Sequence, residues 1–145
     1  MPDDELNIGL LLFIPYRSLE SRVFQAIADA GFDDLTLAQA KLLQRIDPAG
    51  SRLTALAASA QVTKQTAGFL VDQLERAGYV ERVPDPTDAR ARLVRLTDRA
   101  ATAVPLGAKV IEEIEAEWTA HLGPRRMTQL RDALTRLREI TDPYR

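Results

Sequence analysis

The chain has 145 residues, of which 46% are hydrophobic and 28% charged, so it can bury a core and is too apolar to remain disordered. Its formal charge is −2, so the total charge does not by itself indicate a nucleic-acid partner. The absence of cysteine excludes disulfides, thiolate metal sites and cysteine nucleophiles.

The charge is unevenly distributed along the chain. Residues 51–100 contain eight basic and six acidic residues, whereas residues 1–50 contain four basic and eight acidic ones. Because salt confines surface fields to about 8–10 Å, a local basic surface can bind phosphate even on an acidic protein. The apolar run Ile8–Tyr16 is too short to span a bilayer and follows acidic residues, so we expect a cytoplasmic protein with no membrane partner.

The first two predicted elements are helices. Apolar residues recur at spacings of three and four from Leu6 to Ala30, and Pro15 should kink this helix or mark its true start. Thr36, with Gln39 three residues later, matches a capping box, which predicts a second helix from Leu37 to Arg45.

Two further helices with a tight link follow. An Ala-rich helix is expected from Leu53 to Ala60, and Thr63 can cap a helix that ends at Gly78. The apolar residues of that helix form one stripe, which consists of Ala67, Leu70, Val71 and Leu74. A short helix, a tight link and a helix with a polar outer face are typical of a helix-turn-helix.

A hairpin is predicted directly after this motif, in the place of a wing. Its strands cover residues 79–83 and 92–97, and a Pro- and Asp-rich segment from Pro84 to Ala91 joins them in a loop longer than a two-residue turn. A long helix from Asp98 to His121, bent at Pro105, should follow.

A last helix is expected from Pro124 to about Ile140, with an apolar seam of Met127, Leu130, Leu134 and Leu137. The predicted fold class is therefore mostly α (α+β). A winged helix-turn-helix domain covers residues 35–100, and helices from residues 1–34 and 101–145 form a dimerisation region, because their apolar faces would otherwise be exposed on a monomer.

Candidate DNA-binding residues lie where the second helix of the motif begins, since that end enters the major groove first. Gln pairs with adenine, Lys reaches guanine or phosphate, and Thr hydroxyls bond either; the residues are Thr63, Lys64, Gln65 and Thr66. Helix starts are also polar merely for capping, so these residues alone leave both interpretations open.

The wing supplies a second set of candidates. An arginine at the tip of a rigid hairpin can enter the minor groove, and Arg90 is best placed, with Arg92 behind it. Asp88 could hold an arginine in a fixed rotamer. A charged loop that only keeps the protein soluble is the alternative, and the basic helix start upstream favours DNA binding.

A longer pattern combines these residues: Leu35–Thr36 with Gln39, Thr63–Thr66, Leu74–Glu75, Gly78–Arg82, Asp85–Pro86 with Asp88 and Arg90, and Leu93–Thr97. In this pattern residues 35–100 resemble the winged helix-turn-helix of the MarR family of transcriptional regulators. The run from Gly78 to Thr97 is the specific part, and the flanking helices match only in their apolar pattern.

The resemblance implies a homodimer whose first and last helices interleave and whose winged domains each read half of a palindromic operator in double-stranded DNA. It assigns Arg90 to the wing arginine that enters the minor groove and Asp88 to the aspartate paired with it. The family usually has two arginines after that aspartate, and Ala89 stands in place of the first, so one contact should be missing unless Arg92 compensates. Phe69 faces outward and could touch a thymine methyl or pack against the wing.

The resemblance also implies that a small aromatic acid or phenolic ligand releases the DNA, with Phe13, Tyr16 and Arg17 as candidate ligand residues, although such a stripe is more often core or dimer interface.

An enzyme, a metal and a cofactor are not expected, because His121 is the only histidine and no phosphate-binding glycine motif occurs. A homodimeric transcriptional regulator, most simply a repressor, is the preferred function. A winged helix that contacts proteins without binding DNA is the alternative, and a hydrolase or transferase would need a titratable cluster that the sequence lacks.

Overall fold

The computed structural model describes residues 5–143, so the ends of the predicted dimerisation region, residues 1–4 and 144–145, lie outside it. The elements are α1 (Ile8–Asp29), α2 (Leu37–Leu43), α3 (Leu53–Ala60), α4 (Lys64–Arg76), β1 (Val80–Asp85), β2 (Asp88–Leu96), α5 (Asp98–Ala101), α6 (Val104–Leu122) and α7 (Pro124–Thr141). One two-stranded antiparallel sheet in a mostly helical chain confirms the predicted fold class. Within residues 5–143, no helix combines the length and apolar character that crossing a bilayer requires.

The chain divides into two compact units. One contains Phe24–Gly107, and the other contains the residues up to Val23 and from Ala108 onward. The first unit holds the helix-turn-helix and the wing, and it extends beyond the predicted segment 35–100 at both ends.

The core of the unit Phe24–Gly107 is built around α4. Ala67, Val71 and Leu74 are fully buried and Leu70 is partly buried, which confirms the predicted stripe. They pack with buried side chains from the neighbouring elements, among them Leu42, Leu56, Tyr79, Val80 and Val94. Each buried Val or Leu side chain stabilises the fold by roughly 1.5–3 kcal/mol on burial, so the stripe determines how α4 is oriented.

The predicted caps are present. The Gln39 N–H donates to Thr36 Oγ1 at 3.2 Å and the Thr36 N–H donates to Gln39 Oε1 at 3.0 Å, which completes the capping box of α2. Thr63 caps α4, and Gly78, with φ +82°, follows the end of that helix in a conformation that favours glycine. These local patterns therefore set where α2 begins and where α4 begins and ends.

The prediction that a long loop from Pro84 to Ala91 joins the two strands is wrong. The strands continue to Asp85 and resume at Asp88, so only Pro86 and Thr87 form the turn. The Asp85 carboxylate accepts the Thr87 N–H at 2.8 Å and the Thr87 hydroxyl at 2.7 Å, and these bonds stabilise a turn tighter than its prolines suggested.

The predicted long helix after the wing is also wrong. It is two helices, because Thr97 caps the short α5 and α6 begins separately. Pro105 lies in the first turn of α6, where its missing N–H costs no helical hydrogen bond, so it helps to start a helix instead of bending one. Pro15 lies inside α1 and does not mark its start.

Tyr79, between α4 and β1, contacts Asp34 before α2 and Arg99 in α5. Its hydroxyl donates to the Asp34 carboxylate, and the Arg99 guanidinium lies 4.2 Å from the centre of its ring and 3.2 Å from Asp34. Burial of the phenol, together with the hydrogen bond to Asp34, raises the pKa of Tyr79 to about 12.

We expect Tyr79→Phe to lower the free energy of unfolding by about 1 kcal/mol near neutral pH, because one buried hydrogen bond is lost. An acid whose pKa is raised on folding contributes stability that is complete below its unfolded pKa, so the difference between the proteins should shrink as pH rises from 10 to about 12. Urea unfolding at a series of pH values measures this. A difference that stays constant to pH 12 would contradict the role assigned to the Tyr79 hydroxyl.

Candidate nucleic-acid interface

The first turn of α4 presents polar side chains to solvent. Thr63 Oγ1 accepts the Thr66 N–H at 3.1 Å and donates to the Thr66 hydroxyl at 3.0 Å. These two predicted site residues therefore fix the start of the helix, while the side chains of Lys64 and Gln65 are exposed beside them.

An open depression of about 560 Å³ lies along the outer face of α4 and is lined by Gln65, Thr66, Gly68, Phe69 and Asp72. Phe69 faces solvent, as predicted, and 59% of its surface is exposed. An aromatic ring beside an exposed glutamine amide offers both apolar and hydrogen-bonding contact to a partner.

The carboxylates at the far end of this face are neutralised by the wing. Arg82 on β1 donates to Asp72 at 2.8 Å and to Glu75 at 2.9 Å. Without Arg82, Asp72 would place an uncompensated negative charge beside Phe69. The sequence prediction missed this pair of bonds, because carboxylates on a helix also fit an ordinary solvated face.

The wing has an irregularity near its tip. The strand pair at the tip joins Asp85 with Asp88, whereas the next pair joins Pro84 with Arg92. Three residues of β2, centred on Arg90, therefore have no partner on β1, which is a β-bulge. The bulge exposes Arg90, and this displacement could not be anticipated from the residue pattern.

Contrary to what the family resemblance implied, Asp88 does not pair with the side chain of Arg90. Its Oδ1 accepts the main-chain N–H of Arg90 at 3.0 Å, and the guanidinium nearest its Oδ2 is that of Arg52, at 3.8 Å. Within residues 5–143, the side chain of Arg90 has no hydrogen bond or ion pair, so Asp88 orders its backbone and leaves its guanidinium free.

Arg52, just before α3, is an interface residue that the sequence prediction missed. Its Nε and Nη2 lie 2.9 and 2.8 Å from Asp85 Oδ2. Asp85 is only 7% exposed, although Pro84, Pro86 and Thr87 around it are exposed. Hydrogen bonds from the Thr87 N–H and hydroxyl, and then from Arg52, lower the pKa of Asp85 to about 2. The two partners are 33 residues apart, so no motif links them.

The ion pairs divide the basic residues of this surface into two groups. Arg52, Arg82 and Arg95 each pair with a carboxylate. In the part of the chain that the structure describes, no carboxylate pairs with the exposed cations Lys64, Arg90 and Arg92. These three predicted site residues are thus the ones whose charge is available to a phosphate, at the start of α4 and on the wing.

The three candidate ligand residues lie on α1, in the other unit. The Arg17 guanidinium is 5.6 Å from the centre of the Phe13 ring, and the Tyr16 hydroxyl donates to Glu20 at 2.9 Å. All three are exposed, and neither the depression on α4 nor the one around Gly123–Pro124 includes them.

Residues 33–91 match the model of the MarR family. A crystal structure of MarR superposes with a TM-score of 0.73 at 29% identity, covering 92% of this chain and 96% of that one. The chain is therefore similar to the MarR family, in sequence over residues 33–91 and in fold over most of its length. The family match extends from the loop before α2 to Ala91, so it includes α4 and the bulge that carries Arg90.

Two further proteins are similar to this chain. The transcriptional regulator HosA of Escherichia coli O111:H- is 38% identical over 85 residues, and the alignment covers 55% of this chain and 63% of HosA. This chain thus spans less than two thirds of HosA. The crystal structure of transcriptional regulator Tm0710 from Thermotoga maritima has a TM-score of 0.64 at 26% identity, covering 92% and 93% of the two chains.

The bonds around Asp85 predict an unusual acid titration. Its carboxyl should remain ionised at pH 3 and take up a proton near pH 2, so the stability that it contributes is complete above its ordinary pKa of 3.8 and is lost as pH falls toward 2. Carboxyl carbon shifts in an NMR titration measure this. Arg52→Ala should raise the pKa only part of the way to 3.8, because the larger contribution from Thr87 remains. A wild-type midpoint at 3.8 would be inconsistent with these bonds.

Proposed function

We propose that this chain is a transcriptional regulator that binds double-stranded DNA as a homodimer on a palindromic operator and acts as a repressor. The observation that carries the proposal is the positive charge, which no carboxylate of residues 5–143 neutralises, at two points of one winged-helix unit, the start of α4 and the wing. In this arrangement α4 enters the major groove and the wing reaches the adjacent minor groove.

Each predicted site residue has a separate role in this proposal. Gln65 pairs with adenine, and Phe69 beside it contacts a thymine methyl. Lys64 binds a neighbouring phosphate, while Thr63 and Thr66 fix the helix start and add hydroxyl contacts.

The wing supplies the second contact. Arg90 enters the minor groove from the exposed bulge, and Asp88 orders the Arg90 backbone. Arg92 contacts the phosphate backbone and compensates for Ala89, which cannot make the contact of a second arginine. The resulting interface separates base reading by α4 from groove-shape reading by the wing.

The homodimer is supported by the small core of the second unit. Among its described residues only Val23 and Ile114 are buried, and α7 buries none. Large apolar side chains are exposed on α1 and α7, including Ile8, Leu11, Phe13, Leu134, Leu137 and Ile140. Such surfaces mark an interface with another chain, and a second copy would present the same helices with two-fold symmetry. Two winged domains would then read two half-sites.

Release by a small aromatic acid or phenol is the last part of the proposal. Phe13 and Tyr16 offer aromatic surface on α1, and Arg17 offers a cation for a carboxylate. A ligand that prefers a different spacing of the two winged domains would weaken DNA binding in proportion to that preference. Salicylate added to a mobility-shift assay should therefore lower the apparent affinity.

Two substitutions separate the roles of α4 and the wing. Arg90→Ala should weaken binding to every DNA and reduce the slope of log K against log salt by about 1. Gln65→Ala should cost roughly 1–3 kcal/mol on the operator and little on random DNA. The operator is first selected from random duplexes with the wild-type chain, and fluorescence anisotropy then measures the affinities.

Arg45→Ala is the matched control, since it removes one exposed positive charge from the same unit outside α4 and the wing. It should leave both quantities close to the wild-type values. Equal losses on operator and random DNA for Gln65→Ala would refute the base-reading role of this side chain.

Sedimentation velocity tests the homodimer. The wild-type chain of 16.1 kDa should sediment as a dimer, and Leu137→Glu should shift it toward the monomer, because a charge would then lie in the apolar seam of α7. Thr135→Glu adds the same charge about 120° around the helix from the centre of the seam and should leave the dimer intact. A wild-type monomer at micromolar concentration would rule out the proposed assembly.

A further inference from the structure

Arg52 lies at the start of α3 but its side chain does not cap the helix. It is the N-cap residue of α3, where a Ser, Thr, Asp or Asn side chain would stabilise the helix by about 1 kcal/mol. The Arg52 side chain makes no cap hydrogen bond, and its guanidinium binds the carboxylate of Asp85 at the wing tip. The side chain at this helix start therefore contributes to the wing instead of the helix.

Asp85 uses its two oxygens for two different connections. Oδ1 accepts the Thr87 N–H and hydroxyl, which closes the turn between the strands. Oδ2 accepts the Arg52 Nε–H at 2.9 Å and lies 2.8 Å from Arg52 Nη2, which attaches that turn to the start of α3. A planar guanidinium bound through two nitrogens fixes direction as well as distance.

The same guanidinium is near the residue that orders Arg90. Asp88 Oδ2 lies 3.8 Å from Arg52 Nη2, and Asp88 Oδ1 accepts the Arg90 N–H at 3.0 Å. Because the bulge leaves Arg90 without a partner on β1, strand pairing alone does not fix its position. The contacts from Arg52 through the two aspartates do so.

The backbone that carries Arg52 is also held in place. The Ser51 N–H donates to the Val94 carbonyl at 2.9 Å, and the Val94 N–H donates to the Ser51 carbonyl at 2.7 Å. The start of α3 is thus fixed to β2, and α3 packs against α4 in the core that contains Leu56 and Leu74. A rigid path therefore connects Arg52 with the helix that carries Gln65.

We propose that Arg52 is a positioning residue that sets where Arg90 lies relative to the start of α4, and so determines the base pairs at which the wing reads the minor groove. The inference rests on the proposed DNA-binding function. Lysine at position 52 would keep the charge but could not face the Asp85 carboxylate through two nitrogens as the guanidinium does, so Arg52→Lys separates geometry from charge.

The first experiment uses the full chain without DNA. Amide hydrogen exchange at Thr87 and Arg90 should rise about fivefold or more in Arg52→Ala and Arg52→Lys, the factor expected for one lost hydrogen bond, and exchange at Val80 should stay unchanged. Asp85→Asn removes the charge from the other side and should act in the same direction. Arg45→Ala is again the charge control and should behave like the wild-type chain.

The second experiment measures affinity for the selected operator and for a copy in which A/T pairs under the wing are replaced by G/C. The wild-type chain and Arg45→Ala should prefer the A/T form by about fivefold or more, the lower end of the cost of one altered position. Arg52→Ala and Arg52→Lys should lose this preference and keep the preference for the bases that Gln65 reads.

The outcomes are distinguishable. If Arg52→Lys keeps slow exchange and the A/T preference, charge alone suffices. If exchange becomes faster but the A/T preference is unchanged, Arg52 orders the tip without positioning Arg90. Either result overturns the inference. A wild-type chain that binds no DNA would refute the proposed function instead, and unchanged exchange in both Arg52 variants would independently overturn the role of Arg52 at the tip.

Discussion

The burial of one side of α4 is the constraint on which the rest of the winged-helix unit depends. Ala67, Val71 and Leu74 have no exposed surface, so the helix cannot rotate without losing its core contacts. With 3.6 residues per turn, this orientation directs Gln65 and Phe69 to the opposite side. The outer face is therefore a consequence of core packing, and it forms before any partner is present.

Ion pairing determines which positive charges of the winged-helix unit remain available to a partner. The arginines that pair with carboxylates, Arg52 and Arg82, hold the wing against α3 and α4, while Arg90 on the bulge remains unpaired among the described residues. These pairs fix the position of the wing and remove two positive charges from those available to a partner. Along the wing, Arg90 and Arg92, which no described carboxylate pairs with, therefore lie between the paired Arg82 and Arg95.

The two units differ in how they satisfy their apolar residues. The unit around α4 has its own core, whereas the described part of the other unit buries only Val23 and Ile114 and exposes side chains such as Ile140, at 84%. A ligand or partner that binds the second unit could therefore change its conformation while disrupting few internal packing contacts. This difference is the physical basis for assigning assembly to one unit and DNA recognition to the other in the proposed function.

The sequence by itself determined the helix-turn-helix, the helix caps at Thr36 and Thr63, the buried stripe and the resemblance to the MarR family, because capping, helical period and short motifs are local properties. Its errors at the hairpin turn and at Pro105 arose where a proline was compatible with two local structures. Only the tertiary structure decided that Arg52 binds Asp85 and that a bulge exposes Arg90. Those features depend on contacts between residues far apart in the chain, and such contacts exist only after the core has fixed the positions of α3, α4 and the strands.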